Sequence, residues 1–291
     1  MRSPASRSLV LFLVLVTAVL SWGQASSSGI LEGITYGRGG DTDLKLDLAV
    51  PQSGKGPFPA LIFLFGGAWT GGSRSQYLNA IRKAAERGYV AATVDYRLLR
   101  ERVDGRPKYP FPAQLHDVKA AVRWLRANAA KYGINADRIG AVGWSSGGHL
   151  ALLLGVTRPS DGLDGQSGSP GFSSAVQAVV SVAGIVDLAD MYRTSSLQAP
   201  LIDLLGGLPE EVPHAYQAAS PISYVGKDSP PVLTLQGDQD TTVPPRQAEA
   251  LDRAMKQAGA SHTLIILRGK RHAISWESDG AWEFLDAHLK N

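Results

Sequence analysis

Apolar residues recur along this chain in two periods, and the two periods take turns. Leu44, Leu46, Leu48 and Val50 occupy every second position with Lys45 and Asp47 between them, which predicts an edge-type strand over 43–50. Residues 60–65 form an unbroken apolar run that halts at Gly66-Gly67, the mark of a strand buried on both faces. Residues 77–87 have helical spacing and stop at Gly88, and 89–95 read as another buried strand. Pro112 introduces a long amphipathic helix over 113–132, where Leu115, Val118, Val122, Leu125 and Ala129 recur at three- and four-residue steps until Gly133. The same patterns predict strands at 138–143, 176–182, 232–236 and 262–267, and helices at 147–156, 248–258 and 280–290. Strand and helix in alternation imply a mostly parallel central sheet with helices on both faces. Two stretches interrupt the rhythm. Residues 158–174 are rich in Gly, Ser and Asp and read as a surface loop. Residues 188–224 mix polar and apolar positions with several prolines and read as a small, cap-like helical insertion. No repeat and no linker is visible, so one domain is expected over 30–291.

The first residues follow a different logic. Arg2 and Arg7 give a positive start, 9–20 is apolar except for Thr17, and Gly23 and Ala25 are small. This predicts a signal peptide over 1–25, cleaved after Ala25, and a secreted or periplasmic mature protein. The apolar core is too short for a bilayer crossing, which takes about 20 residues, so no stable membrane anchor is expected. The chain has no cysteine, so neither a lipid-anchored cysteine nor a disulfide is available, and the exported fold must rest on its core. A hydrophobic content of 44% permits that. Removing Arg2 and Arg7 from the formal net charge of +3 leaves +1, and no Lys/Arg block stands out. No nucleic-acid partner is expected.

The candidate chemistry begins at Gly143-Trp144-Ser145-Ser146-Gly147, a match to G-x-S-x-G. The pattern is short and Gly and Ser are frequent here, so the match alone says little. Its context says more: a predicted strand runs directly in and an apolar helix runs directly out, the turn that lifts a nucleophilic hydroxyl clear of its neighbours. A serine nucleophile needs a base, and the base an orienting acid, in the chain order Ser, acid, His. The segment 236–244, after the predicted strand 232–236, offers Asp238 and Asp240. One of the two is expected to serve only the turn. Asp187 is a third candidate. His272 follows the last predicted strand. His116, His149, His214, His262 and His288 fit that position less well, and none has a second ligand at metal spacing. No metal and no cofactor is expected. Residues 64–69, Leu-Phe-Gly-Gly-Ala-Trp, follow the first buried strand, where backbone amides could face an oxyanion.

With these residues in view, the chain resembles the esterase/lipase group of α/β-hydrolases, which includes hormone-sensitive-lipase-like carboxylesterases and the related feruloyl and acetyl-xylan esterases. The similarity spans about 46–289. It includes Gly66-Gly67-Ala68-Trp69, Asp95-Tyr96-Arg97, Asp137-Arg138-Ile139, the elbow with Gly148-His149-Leu150, 205–211, Ala219-Ser-Pro-Ile222, and Gly237-Asp-Gln-Asp240 with Val243-Pro244. The resemblance implies an α/β-hydrolase fold, Ser145 as nucleophile, His272 as base, Asp240 as acid, and the amides of Gly67, Ala68 and Ser146 as oxyanion donors. Two positions depart from the family pattern: Phe65 and Gln236 stand where His is usual, outside the triad but beside two of its loops. The implied activity is hydrolysis of carboxylic esters through an acyl-enzyme, on small-molecule or carbohydrate substrates carrying acetyl or feruloyl groups. Short acyl groups are expected, because the insertion is short and broken by Asp190, Arg193, Asp203, Glu210 and Glu211. Trp69, Trp144 and Trp276 lie beside motif residues and could narrow the pocket. A prolyl-oligopeptidase-like peptidase would share the triad but usually carries a propeller domain. A binding module on an inactive hydrolase scaffold typically lacks one triad member.

Overall fold

The computed structural model describes residues 29–278 and 280–290, and the predicted signal segment 1–25 lies outside them. Its centre is an eight-stranded sheet in the order β1 (Ile30–Gly39), β2 (Thr42–Ala49), β4 (Val90–Val94), β3 (Phe58–Leu64), β7 (Ile134–Trp144), β8 (Ala178–Val182), β9 (Val232–Gly237), β10 (His262–Leu267). β1 pairs β2, and β2 pairs β4, antiparallel. From β4 to β10 every neighbour is parallel. A small separate hairpin joins β5 (Arg102–Val103) to β6 (Arg106–Pro107).

The parallel strands read as continuous apolar runs because helices cover both faces. α1 (Leu78–Glu86) and α9 (Ala281–Leu289) lie on one side, tied to each other by the Arg87–Asp286 ion pair. On the other side, α2 (Ala113–Ala127), continued by the single turn α3 (Ala129–Tyr132), packs against α4 (Ser146–Val156). Every residue of α4 is buried, so this helix has no polar face and sits wholly inside the core. Across the insertion run α5 (Leu188–Thr194), α6 (Gln198–Leu205) and α7 (Pro213–Ala219), and α8 (Arg246–Ala258) connects β9 to β10.

Three elements differ from the pattern read along the chain. β1 carries no clean alternation, and its pairing with β2 slips between Leu31 and Ile34 and again between Thr35 and Gly37. Bulges of this kind erase a period of two. β1 takes the edge, so β2 is interior. Its Asp47 is buried because it accepts the Gly33 N–H (2.7 Å) and pairs with Arg74 (2.9 Å). The long helix expected over 113–132 breaks at Asn128, whose side-chain amide donates to the Trp124 carbonyl (2.9 Å). Such local bonding competes with the helical ladder.

Candidate active site

β7, near the middle of the sheet, delivers Ser145 at its C-terminal end, where open parallel sheets present their sites. Ser145 has φ 57° and ψ −122°, a conformation a residue with a Cβ rarely holds. The surroundings enforce it. A Cβ on Gly143 would lie 2.1 Å from the Gly147 carbonyl, and one on Gly147 would lie 2.1 Å from the Leu64 carbonyl. Only glycine fits at either place, so the motif spacing is a packing requirement. The Ser145 amide donates to Val182 (2.8 Å), and the His149 amide donates to the Ser145 carbonyl (2.9 Å), pinning the turn at both ends.

Two loops bring the other groups. His272 follows β10, and its Nε2 lies 3.0 Å from Ser145 Oγ. Its Nδ1 lies 2.7 Å from Asp240 Oδ2, on the loop after β9. The other carboxylate oxygen of Asp240 accepts the amides of Thr242 and Val243, both at 2.9 Å. Burial pushes the Asp240 carboxyl up, but the bonds from His272 and the two amides outweigh it and hold the group below the usual carboxylate range. An ionised carboxylate only accepts, so Nδ1 carries the imidazole proton and Nε2 turns its lone pair toward the hydroxyl. Asp238 is exposed and caps the next turn, accepting the Gly269 amide (2.7 Å). Asp187 caps α5 through the Asp190 amide.

The loop after β3 supplies a run of positive φ angles, 132° at Gly67, 51° at Ala68 and 58° at Trp69. A Cβ on Gly67 would fall 2.4 Å from the Gly71 carbonyl. None of the loop and cap hydrogen bonds among the described residues uses the amides of Gly67, Ala68 or Ser146. The loop of Gly67 and Ala68 follows β3, the strand paired with β7, and Ser146 directly follows Ser145, so these are the backbone donors from which an oxyanion site could be built. Phe65 stacks flat on Tyr96 at 4.3 Å, and the Tyr96 hydroxyl donates to the Phe65 carbonyl (2.8 Å). Stacking thus holds the loop where the family pattern has a histidine.

Of the three tryptophans expected at the pocket, Trp69 is fully buried and meets His149 edge-on at 5.2 Å, so its ring braces the loop and does not line the site. His149 is itself enclosed. Burial lowers its pKa to about 4, against a raising bond to the Ala219 carbonyl, and it serves as neutral packing. Trp144 and Trp276 border a groove beside His272. Two contacts were invisible in sequence. The Trp144 indole N–H donates to the His272 carbonyl (3.0 Å), and its ring lies 5.0 Å from the imidazole. Gln236, fully buried, donates its amide to Asp240 Oδ2 (3.3 Å) and to the Val243 carbonyl (3.0 Å). Its place on the acid loop, where histidine is usual, was the available signal. Among the described residues no cluster of acidic residues and histidines could hold a metal ion, and no helix is long and apolar enough to cross a membrane.

Known proteins share this arrangement of chain. The BD-FAE family pattern matches residues 46–255. Esterase LipQ of Mycobacterium tuberculosis (strain ATCC 25618 / H37Rv) is 34% identical over 239 residues, covering 78% of this chain and 53% of LipQ. Esterase LipC of the same organism is 32% identical over 241 residues, covering 75% of this chain and 57% of LipC. The chain thus spans about half the length of these relatives. Among solved structures, a truncated carbohydrate esterase from gut microbiota aligns with a TM-score of 0.80 at 28% identity, covering 91% of this chain and 99% of that one. The propionate-bound Est2 esterase of Thermogutta terrifontis aligns with a TM-score of 0.69 at 28% identity, covering 88% and 91%. The expected α/β-hydrolase fold is present, and the chain belongs to the BD-FAE family of α/β-hydrolase esterases, related to the hormone-sensitive-lipase-like carboxylesterases.

Proposed function

We propose that the protein is a serine carboxylesterase acting on short-acyl esters, in particular acylated carbohydrates, outside the cytoplasm. The hydrogen-bonded chain from Asp240 through His272 to Ser145 carries this reading. In the proposed cycle, His272 Nε2 takes the Ser145 proton as Oγ attacks the ester carbonyl. The carbonyl oxygen gains the negative charge, stabilised by the amides of Gly67, Ala68 and Ser146. Asp240 keeps the imidazole in one tautomer and balances the imidazolium. The tetrahedral adduct then expels the alkoxide, which leaves as alcohol with the proton from His272. Water repeats the sequence on the acyl-enzyme, releasing the acid and restoring Ser145.

Two observations favour a short acyl group. Four large apolar side chains of the insertion, Met191, Leu201, Leu204 and Leu205, are buried in the core and so are withdrawn from any lid over a fatty chain. Est2, a structural neighbour, has been solved with propionate and with butyrate bound. The carbohydrate alcohol is favoured by the likeness to the gut-microbiota carbohydrate esterase. Export rests on the charged start, apolar core and small-residue boundary of residues 1–25. A fluorophosphonate probe labels only an activated serine. Wild type should label and hydrolyse p-nitrophenyl acetate, while Ser145→Ala should do neither, with turnover down by on the order of 10⁴-fold. An alanine variant that keeps a tenth of wild-type turnover overturns the nucleophile assignment. N-terminal sequencing of exported protein should begin near Ser26, and an intact Met1 there would favour an anchor.

A further inference from the structure

Against Trp144, whose ring lies 5.0 Å from the His272 imidazole, and the residues that follow His272 lies a groove of about 430 Å³ bordered by Gln76, Tyr77, Trp144, Ile274, Ser275 and Trp276. Its floor is aromatic and fixed from below. Trp276 packs edge-on against Phe63 (5.0 Å) and Trp282 (4.7 Å), and Tyr77 lies 5.5 Å from the same Phe63. Trp144 has committed its indole N–H to the His272 carbonyl, so what it offers outward is ring surface. The rim is polar and exposed. Gln76 presents an amide, and the Ser275 hydroxyl accepts the Glu277 amide (3.3 Å), which leaves its own proton to donate. Rings below and a few hydrogen-bonding groups above match a ligand with one apolar face and a hydroxylated edge.

The geometry of ester hydrolysis says which half of the substrate would enter. In the tetrahedral adduct the former carbonyl carbon bears Ser145 Oγ, the oxyanion, the leaving oxygen and the acyl carbon. The oxyanion turns toward the amides of Gly67, Ala68 and Ser146. The leaving oxygen must meet His272 Nε2, because that nitrogen supplies its proton. The alcohol therefore departs on the His272 side, where residues 273–276 form the groove wall. Resting on the ester-hydrolase reading above, we propose that this groove is the leaving-group subsite. It takes the ring of a sugar alcohol, its C–H face on Trp144 and Tyr77 and its hydroxyls against Gln76 and Ser275.

The test compares two substrate series by acetate or acid release in a pH-stat. One holds acetyl constant and enlarges the alcohol, from ethyl acetate to mono-acetylated methyl xyloside and acetylated xylobiose. The other holds ethanol constant and lengthens the acyl group from acetate to butyrate. Gln76→Trp and Ser275→Trp each put bulk at an exposed rim position, where the core is untouched. Each should lower the ratio of kcat/KM for the sugar acetates to that for ethyl acetate by about tenfold, because a rim hydrogen bond to the sugar is lost and the added bulk crowds its ring. The dependence on acyl length should not change. Methyl xyloside should compete with ethyl acetate more strongly than benzyl alcohol does, and less strongly in both variants. If the variants alter the acyl-length dependence instead, the groove holds the acyl group and the proposal fails. It also fails if neither series responds, or if benzyl alcohol binds and the xyloside does not. An enzyme that neither labels with fluorophosphonate nor releases acetate from ethyl acetate would refute the esterase reading itself, a distinct outcome.

Discussion

Replacing Asp240 by asparagine removes one charge and almost no volume, and the surrounding donors decide what the new amide does. Oδ1 of Asp240 receives two backbone N–H groups, from Thr242 and Val243 at 2.9 Å. An asparagine must keep its oxygen there, since turning its NH₂ toward them would set donor against donor in a buried site. Its nitrogen then takes the place of Oδ2, facing His272 Nδ1 at 2.7 Å. A donor at that place forces Nδ1 to accept, so the imidazole proton moves to Nε2. The lone pair that should take the Ser145 proton is gone. A wrong tautomer of this kind costs a triad about 10⁴-fold in kcat, or about 5 kcal/mol of barrier. Asp238→Asn, by contrast, alters an exposed turn that accepts one amide and should stay within about threefold. The assay is kcat and KM on p-nitrophenyl acetate, with circular dichroism to establish folding. Equal effects of the two substitutions, or the reverse ranking, would refute the assignment.

Other perturbations follow from the same contacts. The folded Asp240 carboxyl is held below its ordinary range, so its stabilisation is complete above about pH 4 and drains away as pH falls through the folded value. The Tm difference between wild type and Asp240→Asn should therefore narrow from pH 6 to pH 3, and a constant difference would contradict this. Gln236→Leu removes a buried amide donor from Asp240 and leaves the Val243 carbonyl unpaired, a loss of about 1–3 kcal/mol. Part of that should appear as a kcat about tenfold lower at unchanged KM, and a kcat within twofold of wild type would exclude a role in holding the acid. Across p-nitrophenyl esters from acetate to palmitate, kcat/KM should peak at four carbons or fewer. Each further methylene left in water forgoes about 0.8 kcal/mol, and a maximum at eight carbons or beyond would point to a lipase.

How much of this could be read along the chain depends on whether a local rule or a tertiary contact decides the matter. Ser145 could be found because the steric demand of its turn is local: Gly143 and Gly147 are glycine for reasons that lie within a few residues. The parallel core strands could be found because burial on both faces writes itself as an apolar run. β1 was missed because two bulges scramble its period. β2 looked like an edge because Asp47 is charged, and only the distant Arg74 and Gly33 make its burial tolerable. Trp69 and Trp144 each stand beside a motif, yet one ring turns into the core and the other toward His272. Nothing in the neighbouring residues settles that direction.

The strand that delivers His272 is also the least protected in the sheet. β10 pairs on one side only, with β9, and beyond the enclosed side chain of His262 its residues 263–267 are all partly or fully exposed. Segments of this kind open at lower free energy than the molecule as a whole. In rising denaturant the imidazole should leave Ser145 while β3, β7 and β8 are still paired, so esterase turnover and fluorophosphonate labelling fade ahead of the circular dichroism signal. Activity would then behave as a local thermometer, one that reads the docking of the last strand and leaves the melting of the core to other probes.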